Sequence, residues 1–244
     1  MNITKGKVKK KRKVLLYGTH GIGKSTFAND MPNPIFIQTE DGLSDIDVHG
    51  KFDLAKSYSD IEEQLGFICK EKHDYETLVI DTIDWLEQLT SAKVCEELNI
   101  VSLGDLDHGK GYVRALEVWK TIVGALEFIQ KTKNMHIVLL AHSKVAKFDD
   151  PDGESYDRYS PKLQKGPNAL VQEFCDEVFF AKYKVLTKTV QEGFSKKQKP
   201  LDNQGERVIF TQERPAFYAK NRLSMPLEIP FTAKAYLSYL TKGN

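Results

Sequence analysis

A glycine-rich stretch near the start of the chain carries the residues with the clearest chemical meaning. Residues 18–25 read Gly-Thr-His-Gly-Ile-Gly-Lys-Ser and match G-x-x-x-x-G-K-[ST] at every fixed position. Glycine lets the backbone curl around a phosphate and aim N–H groups at it, the lysine adds a positive charge, and the serine hydroxyl can ligate Mg²⁺. The predicted nucleotide-binding residues are Gly18, Thr19, His20, Gly21, Ile22, Gly23, Lys24, Ser25 and Thr26.

The segments on both sides of this stretch have the structure that a phosphate-binding loop requires. Residues 14–17 are an apolar run typical of a buried parallel strand, and residues 26–29 continue without a helix breaker. A strand, a loop and a helix therefore follow one another, which argues against a chance match in a glycine-containing turn. Ser25 begins the predicted helix, whose N–H groups and dipole favour a bound phosphate.

Two carboxylates accompany the next predicted strands. Glu40 follows the strand 35–39, and Asp81 ends the apolar run 77–81. In a parallel sheet the ligand binds beyond the carboxyl ends of the strands, so both side chains are expected beside the phosphate loop. Asp81 is expected to hold Mg²⁺ through water, as a Walker B aspartate does. Glu40 is a candidate base, and the alternative is an acidic turn residue exposed to water.

A third apolar strand, residues 136–141, brings His142 to the same predicted edge of the sheet. His142 is placed to sense the terminal phosphate, but a histidine at a strand end is also common as an ordinary hydrogen-bonded residue. Asp84 and Glu87 follow the Asp81 strand and are expected at the protein surface.

Helices are predicted where apolar residues recur at three- and four-residue intervals, over residues 60–70, 85–98 and 113–129. The third segment has the clearest amphipathic pattern, so its apolar stripe, which includes Trp119, is expected in the core. The glycine- and aspartate-rich segment 104–111 is expected to be a loop.

Residues 144–166 are polar and irregular, and they interleave aromatic with basic side chains. Bases can stack on tyrosine rings while cations follow the phosphates, so this loop is a candidate surface for single-stranded DNA. A flexible, solvated loop has the same composition and is the alternative. The candidate DNA-binding residues are Lys144, Arg158, Tyr159, Lys162 and Lys165.

The remaining sequence predicts a strand-rich end to the same domain. In chain order the expected elements are a helix over 168–175, a strand over 177–183, a polar excursion over 188–206, strands over 207–210 and 216–219, and a helix over 233–240. The short link between the last two strands favours an antiparallel pair that closes the sheet.

Composition places the chain among ordinary globular proteins. It has 244 residues, 28% charged and 41% hydrophobic, with a formal net charge of +1, which indicates one α/β domain over residues 1–244 and no membrane segment. Three widely spaced cysteines form neither a disulfide framework nor a zinc spacing and indicate a reducing cytosol. Residues 1–13 are basic, and the open interpretations are a solvated face, contact with nucleic-acid phosphates or a targeting signal.

Together, the phosphate loop, Glu40, Asp81, His142 and Lys220-Asn221-Arg222 resemble the RecA-like ATPases. Over nearly its full length the chain is more closely similar to the phage-encoded AAA-type nucleotide-binding proteins of the Sak single-strand-annealing group, which are relatives of the RadA/Sms ATPase. The resemblance implies a RecA-like α/β P-loop NTPase fold, with a mostly parallel central sheet that helices flank and antiparallel strands close.

The most specific parts of this resemblance are residues 156–163 and 219–222. They imply that residues 144–166 are a DNA-binding loop and that Lys220 and Arg222 reach the nucleotide of a neighbouring subunit, in the manner of an arginine finger. Without the resemblance, these two cations are typical of solvated residues at a strand end. The motif continues Leu-Ser-Met-Pro in place of the Phe-Gly of RadA, which affects its DNA-linked role more than its charge.

The resemblance also implies roles for individual residues. Glu40 falls where RecA-like proteins carry the glutamate that activates the attacking water, and His142 where a polar residue couples the γ-phosphate to a DNA-binding loop. The expected catalytic residues are Lys24, Glu40, His142, Lys220 and Arg222, and the expected metal ligands are Ser25 and Asp81.

The function implied is an ATPase that uses ATP and Mg²⁺ and acts on single-stranded DNA in phage recombination or annealing. Its expected partners are single-stranded DNA, further copies of the chain in a ring or filament, and a single-stranded-DNA-binding protein, all in the bacterial host cytoplasm. The alternatives are a P-loop small-molecule kinase and a non-hydrolysing ATP-dependent scaffold or loader. GTP is disfavoured because the chain has no Asn-Lys-x-Asp motif.

Overall fold

A computed structural model describes residues 5–6, 10–184, 186–192, 195–201 and 205–242. The strands are β1 (Lys13–Gly18), β2 (Pro34–Gln38), β3 (Thr77–Asp81), β4 (His136–Phe148), β5 (Tyr156–Pro161), β6 (Glu177–Tyr183), β7 (Leu186–Glu192), β8 (Ser195–Leu201), β9 (Arg207–Phe210) and β10 (Glu228–Pro230). The α-helices are α1 (Lys24–Asn29), α2 (Tyr58–Lys70), α3 (Ile83–Leu98), α4 (Lys110–Phe128), α5 (Lys165–Phe174) and α6 (Ala233–Lys242).

The central sheet is mostly parallel, as the sequence predicts. Its strand order is β10-β9-β6-β1-β4-β3-β2, and the five strands from β6 to β2 run parallel to one another. Strands β9 and β10 close the β6 edge in antiparallel pairing. β1 lies in the middle of the sheet, paired with β4 on one side and β6 on the other, so the loop after β1 leaves from the centre of the carboxyl edge.

Two layers of helices bury the two faces of this sheet. Helices α2, α3, α4 and α5 pack on the face that carries Leu15 and Tyr17, and the stripe of α4, with Trp119 at 1% exposure, lies in this core as expected. Helices α1 and α6 cover the opposite face, where Val14 and Leu16 are fully buried. Strands buried on both faces explain the continuous apolar runs in the sequence, because an alternating pattern requires one exposed face.

The prediction that residues 144–166 form an irregular loop is wrong. Strand β4 continues past His142 to Phe148 and pairs antiparallel with β5, and α5 already begins at Lys165. The segment is therefore a β-hairpin, hereafter the β4–β5 hairpin, that projects from the central sheet. Its polar composition conceals the strands because an antiparallel ladder satisfies the backbone of a ribbon whose residues are mostly half-buried or exposed.

The prediction of a second closing strand over residues 216–219 is also wrong. Residues 216–219 are not a strand; Arg214 and Phe217 instead exchange the hydrogen bonds of a turn, and Phe217 packs into the core at 7% exposure. The strand that pairs with β9 is β10, three residues that end in proline and give too short a pattern to recognise. The apolar residues of 216–219 thus pack against the core and do not form a strand of the sheet.

Two polar segments lie partly outside the described residues. The predicted excursion over 188–206 contains most of the antiparallel pair β7 and β8, which begins at Leu186, while residues 193–194 and 202–204 are outside. Of the basic segment 1–13, residues 1–4 and 7–9 are outside, and Lys10, Lys11 and Arg12 form ion pairs with Asp176, Glu76 and Glu177 respectively. None of the helices in the described ranges is both long enough and apolar enough to cross a bilayer.

Candidate nucleotide-binding site

The phosphate loop connects β1 to α1 at the carboxyl edge of the central sheet. Gly21 and Gly23 have φ angles of 70° and 98°, in the left-handed region that favours glycine. The Lys24 side chain is 6% exposed, and its ammonium donates to the Thr19 carbonyl oxygen at 3.1 Å, so it lies across the loop. Burial lowers the pKa of Lys24, and the carboxylates of Asp81 and Glu40 oppose this shift.

Ser25 and Asp81 lie side by side at the start of α1 and the end of β3. The Ser25 hydroxyl donates a hydrogen bond of 2.6 Å to Asp81 Oδ2, and Asp81 is 3% exposed. Burial raises the pKa of Asp81, while the Ser25 hydrogen bond and the charge of Lys24 lower it. A hydroxyl and a carboxylate fit Mg²⁺, which is usually held by one or two protein oxygens together with phosphates and water.

Glu40 is held close to this pair by the backbone that precedes it. The Thr39 N–H donates to the Asp81 carbonyl oxygen at 2.9 Å, and the Thr39 hydroxyl donates to the Thr82 carbonyl oxygen at 2.6 Å. These bonds fasten the end of β2 to the end of β3, and Glu40 follows directly with 25% of its side chain exposed. Burial raises the pKa of Glu40, and His142 opposes that shift. The carboxylate therefore reaches the edge where the phosphate loop lies.

His142 joins the same group, and its surroundings correct the expectation for Asp84. His142 is 4% exposed, its Nε2 lies 3.7 Å from Glu40 Oε1, and its ring stacks on His20 with 3.6 Å between centroids. Asp84, expected at the surface, is 3% exposed and accepts hydrogen bonds from the His142 backbone N–H and from Nδ1, each at 2.9 Å. Glu87, also expected at the surface, is half-buried and accepts from the Gln164 N–H.

Arg207 is a further residue of the site that the sequence did not indicate. It begins β9, and its guanidinium donates a hydrogen bond of 2.9 Å to the Ile22 carbonyl oxygen in the phosphate loop. The same group lies over the Phe231 ring, 5.3 Å from the centroid. A Cβ at Gly23 would approach the end of the Arg207 side chain to 2.5 Å, so the arginine would have to shift, whereas the φ angle of 98° itself favours glycine.

The candidate DNA-binding residues divide into two groups on and beside the β4–β5 hairpin. Lys144, Lys162 and Lys165 are exposed, and the Lys162 backbone N–H donates to the His142 carbonyl oxygen at 2.8 Å. Arg158 is instead held within the protein: it pairs with Glu213 at 2.7 Å and lies over the Phe148 ring.

Tyr159 also contacts the body of the protein. Its ring stacks on Phe180, with 5.0 Å between centroids, and its carbonyl oxygen accepts from the Tyr17 hydroxyl. The hairpin is therefore anchored on the sheet through this tyrosine, while the three lysines remain exposed to solvent.

Lys220 and Arg222 are not brought to the phosphate loop of their own chain. Lys220 pairs through its backbone with Val178, and its ammonium donates to the Gln172 carbonyl oxygen at 2.5 Å. Arg222 donates to Asp176 at 3.2 Å, and Asp176 also binds the Lys13 N–H at the first residue of β1. Arg222 therefore lies at the opposite end of this six-residue strand from the phosphate loop, roughly 20 Å away at the usual rise of a strand, and the Lys220 ammonium is directed to α5.

Comparisons with known proteins agree with the fold and the phosphate loop. The sequence model of a family described as AAA domain matches residues 10–223. A curated relative, the SPbeta prophage-derived uncharacterized protein YorG of Bacillus subtilis (strain 168), is 25% identical over 173 residues, which are 68% of this chain and 49% of the relative. The chain thus spans about half the length of the curated relative that it matches.

Proposed function

The chain belongs to the AAA domain family, which implies ATP binding, and from this premise we propose a magnesium-dependent ATPase that couples hydrolysis to single-stranded DNA. One observation carries the ATPase part of the proposal. Lys24, the Ser25–Asp81 pair and Glu40 converge at the carboxyl edge of the sheet, so phosphate-binding, metal-binding and base groups meet in one place. That set is what phosphoryl transfer requires.

Each residue of this set has a separate task. The N–H groups of the phosphate loop and Lys24 hold the phosphates, and Ser25 and Asp81 hold the metal ion. When bound, Mg²⁺ neutralises charge that develops on the phosphate oxygens. Glu40 accepts a hydrogen bond from the attacking water and orients it, since its side chain is partly exposed at the same edge.

The β4–β5 hairpin supports the DNA part of the proposal. It continues from the strand that carries His142, and the backbone N–H of Lys162, which follows β5 at the base of the hairpin, donates to the His142 carbonyl oxygen. A strand bound along Lys144, Lys162 and Lys165 would therefore lie beside the nucleotide site. We assign the phosphate contacts to these lysines, which are exposed even though the Lys144 ammonium also donates to the Leu163 carbonyl oxygen at 2.6 Å. We assign Arg158 and Tyr159 to holding the hairpin in shape, because their side chains pack against Glu213 and Phe180.

The position of Lys220 and Arg222 supports an assembly in which sites lie between subunits. Neither cation is near the phosphate loop of its own chain, and the Arg222 side chain is 57% exposed. In a homo-oligomer, a ring or a filament, the two cations would complete a neighbour's site and stabilise the charge of the transition state.

The prophage relative supports a phage setting, in recombination or single-strand annealing within the host cytoplasm, where a single-stranded-DNA-binding protein is a natural further partner. The name of that relative assigns it no activity, and the chain covers about half of its length. The proposed DNA role is therefore supported by the β4–β5 hairpin and not by this relative, and it requires a direct binding experiment.

The test of the DNA role is equilibrium binding of a labelled oligonucleotide with ATP, with ADP and without nucleotide. The proposal predicts tighter binding of single strands than of the matching duplex, with affinity that changes with the nucleotide and falls steeply with salt. Equal DNA affinity with ATP, with ADP and without nucleotide would contradict the proposed coupling between the nucleotide state and DNA binding. Phosphate transfer to a small acceptor in the absence of DNA binding would favour a P-loop kinase, and nucleotide-dependent assembly without hydrolysis would favour a scaffold or loader.

A further inference from the structure

The carboxylate of Asp84 makes two hydrogen bonds with His142, and the function proposed so far assigns no role to Asp84. Asp84 Oδ1 accepts the His142 backbone N–H and Asp84 Oδ2 meets Nδ1 of the ring, both at 2.9 Å. Asp84 is 3% and His142 4% exposed, so water competes with neither bond. A carboxylate that binds both the backbone and the ring of one residue fixes the position and the rotation of that ring.

The protonation of the ring follows from the chemistry of its partner. Burial alone raises the pKa of Asp84, but hydrogen bonds from the His142 ring and backbone bring it below its usual value. An ionised carboxylate only accepts hydrogen bonds, so Nδ1 must carry a proton. In the neutral ring Nε2 then has no proton and presents its lone pair.

Nε2 faces Glu40. The distance of 3.7 Å between Nε2 and Glu40 Oε1 is too long for a direct hydrogen bond but suits a single water molecule that donates one O–H to each acceptor. The His20 ring stacks on one face of His142, with 3.6 Å between the ring centroids. Two acceptors are thus aimed at one point next to the phosphate loop.

We infer that Asp84 is a positioning residue, which holds His142 as the Nδ1–H tautomer so that Nε2 and Glu40 orient the same attacking water. The inference rests on the proposed ATPase function. It assigns to His142 a contact with the reacting water and to Asp84 an action through His142 alone, in the way that a buried aspartate sets the tautomer of a catalytic histidine.

The replacement Asp84→Asn tests this arrangement with almost no change of shape. The amide oxygen can still accept the His142 backbone N–H, but the NH₂ group then faces Nδ1 and donates to it. The ring must switch to the Nε2–H tautomer and points a donor toward Glu40. We expect kcat for ATP hydrolysis to fall by about 10- to 100-fold while the dissociation constant for ATP changes by less than about threefold.

A matched control is Glu87→Gln, the same chemical change one turn farther along α3. Glu87 accepts a backbone N–H from Gln164, and within the described residues no hydrogen bond or ion pair joins its side chain to Glu40, Asp81 or His142. Its replacement is expected to leave kcat within about twofold of the wild type. An equal loss of kcat in both variants would mean that replacing any carboxylate of α3 by an amide impairs the enzyme. The loss would then not depend on His142, and the inference would be wrong.

The tautomer itself can be measured without any hydrolysis. In protein with ¹⁵N-labelled histidine, the His142 ring is assigned by comparison with His142→Gln, and its ring nitrogens show which one carries the proton. We expect a proton on Nδ1 in the wild type and its loss in Asp84→Asn. A wild-type ring that carries a proton on Nε2, alone or together with one on Nδ1, overturns the inference, and so does a switched tautomer with unchanged kcat.

These two readouts separate the inference from the function beneath it. A wild type that hydrolyses no ATP refutes the proposed ATPase function, whatever the tautomer, and the positioning role falls with it. A wild type that hydrolyses ATP but carries the other tautomer refutes only the role of Asp84. Because the wild-type tautomer is determined with His142→Gln as the only variant, needed for assignment, the outcome does not depend on how well Asp84→Asn folds.

Discussion

Ser25 and Asp81 are 56 positions apart in the chain, yet the Ser25 hydroxyl donates a hydrogen bond of 2.6 Å to Asp81 Oδ2. The contact joins the first turn of α1 to the tip of β3, and it places the two oxygens that we assign to Mg²⁺ beside the phosphate loop. Ser25 lies in a helix and Asp81 in a strand, so the two oxygens that we assign to Mg²⁺ are positioned by regular secondary structure and not by a loop.

Replacement of Asp81 is expected to change the requirement for Mg²⁺. Asp81→Asn removes the negative charge that attracts the ion but keeps the shape, so the Mg²⁺ concentration for half-maximal hydrolysis should rise by about 10-fold or more. Titration of activity with Mg²⁺ at fixed ATP measures this. Asp74→Asn, at an exposed aspartate, is the control and should titrate as the wild type does. An unchanged titration in Asp81→Asn would remove the assigned metal role.

The exposed lysines of the β4–β5 hairpin and its flank are expected to set DNA affinity. Lys144→Ala, Lys162→Ala and Lys165→Ala should each weaken binding of single-stranded DNA, and each should reduce the slope of log affinity against log salt by about 0.7 for every phosphate that the variant no longer neutralises. Fluorescence anisotropy at several salt concentrations measures both. Lys93→Ala, a change on α3 where the lysine pairs with Glu97, serves as the control. Slopes that equal the wild-type slope in all three hairpin variants would exclude direct binding of phosphates by these lysines.

Lys220 and Arg222 are expected to act on a neighbouring subunit. A Lys24→Ala subunit has no working phosphate loop but keeps its cations, whereas a Lys220→Ala/Arg222→Ala subunit has the reverse defect. Each variant alone should be inactive. Mixed together they should regain hydrolysis at about one interface in four, the share expected from random assembly.

The measurement is phosphate release from the two proteins, separately and mixed in equal amounts. Arg114→Ala, at an exposed arginine on α4, should need no complementation. If the two defective proteins assemble together and still show no turnover, the cations do not act in trans.

The stability of the protein is expected to fall on acidification because of His136. This side chain is 6% exposed, and its Nδ1 accepts a hydrogen bond from the Arg12 N–H, so burial lowers the pKa of His136 to about 4. The unfolded chain takes up this proton near the ordinary histidine pKa, whereas the folded chain takes it up only near pH 4. The free energy of unfolding therefore decreases as the pH falls from about 6.5 to about 4, by roughly 3 kcal/mol in total.

Urea unfolding at pH 7.5 and pH 5 measures this effect, and roughly 2 kcal/mol of the loss should be present at pH 5. His136→Asn keeps an acceptor for the Arg12 N–H but takes up no proton, so its stability should depend less on pH by that amount. His49→Asn, at an exposed histidine, is the matched control and should keep the wild-type dependence. A His136→Asn protein that retains the full pH dependence would contradict the assignment.

The parts of the site that the sequence predicts are those with a local pattern. The phosphate loop has a fixed spacing, and Glu40, Asp81 and His142 each stand at or near the end of an apolar run, so their place in a parallel sheet follows directly. The mostly parallel sheet and the buried stripe of α4 follow from the same patterns.

The parts that the sequence does not predict depend on contacts between distant segments. Asp84 is 58 positions from His142 and Arg207 is 185 from Ile22, and no spacing in the chain links either pair. The one local sign for Asp84 is its place three residues after Asp81, in the first turn of a helix that starts at the same edge. The β4–β5 hairpin escapes prediction because its strands have polar residues on both faces.

The most direct test of the proposed function is ATP hydrolysis with and without single-stranded DNA, measured as phosphate release from the wild type, Lys24→Ala and Glu40→Gln. The proposal predicts that DNA stimulates the wild type, that Lys24→Ala loses both ATP binding and turnover, and that Glu40→Gln still binds ATP but loses at least about 100-fold in stimulated turnover. Turnover that ignores DNA in the wild type, or that survives Glu40→Gln, would contradict a DNA-coupled ATPase with Glu40 as the residue that orients the water.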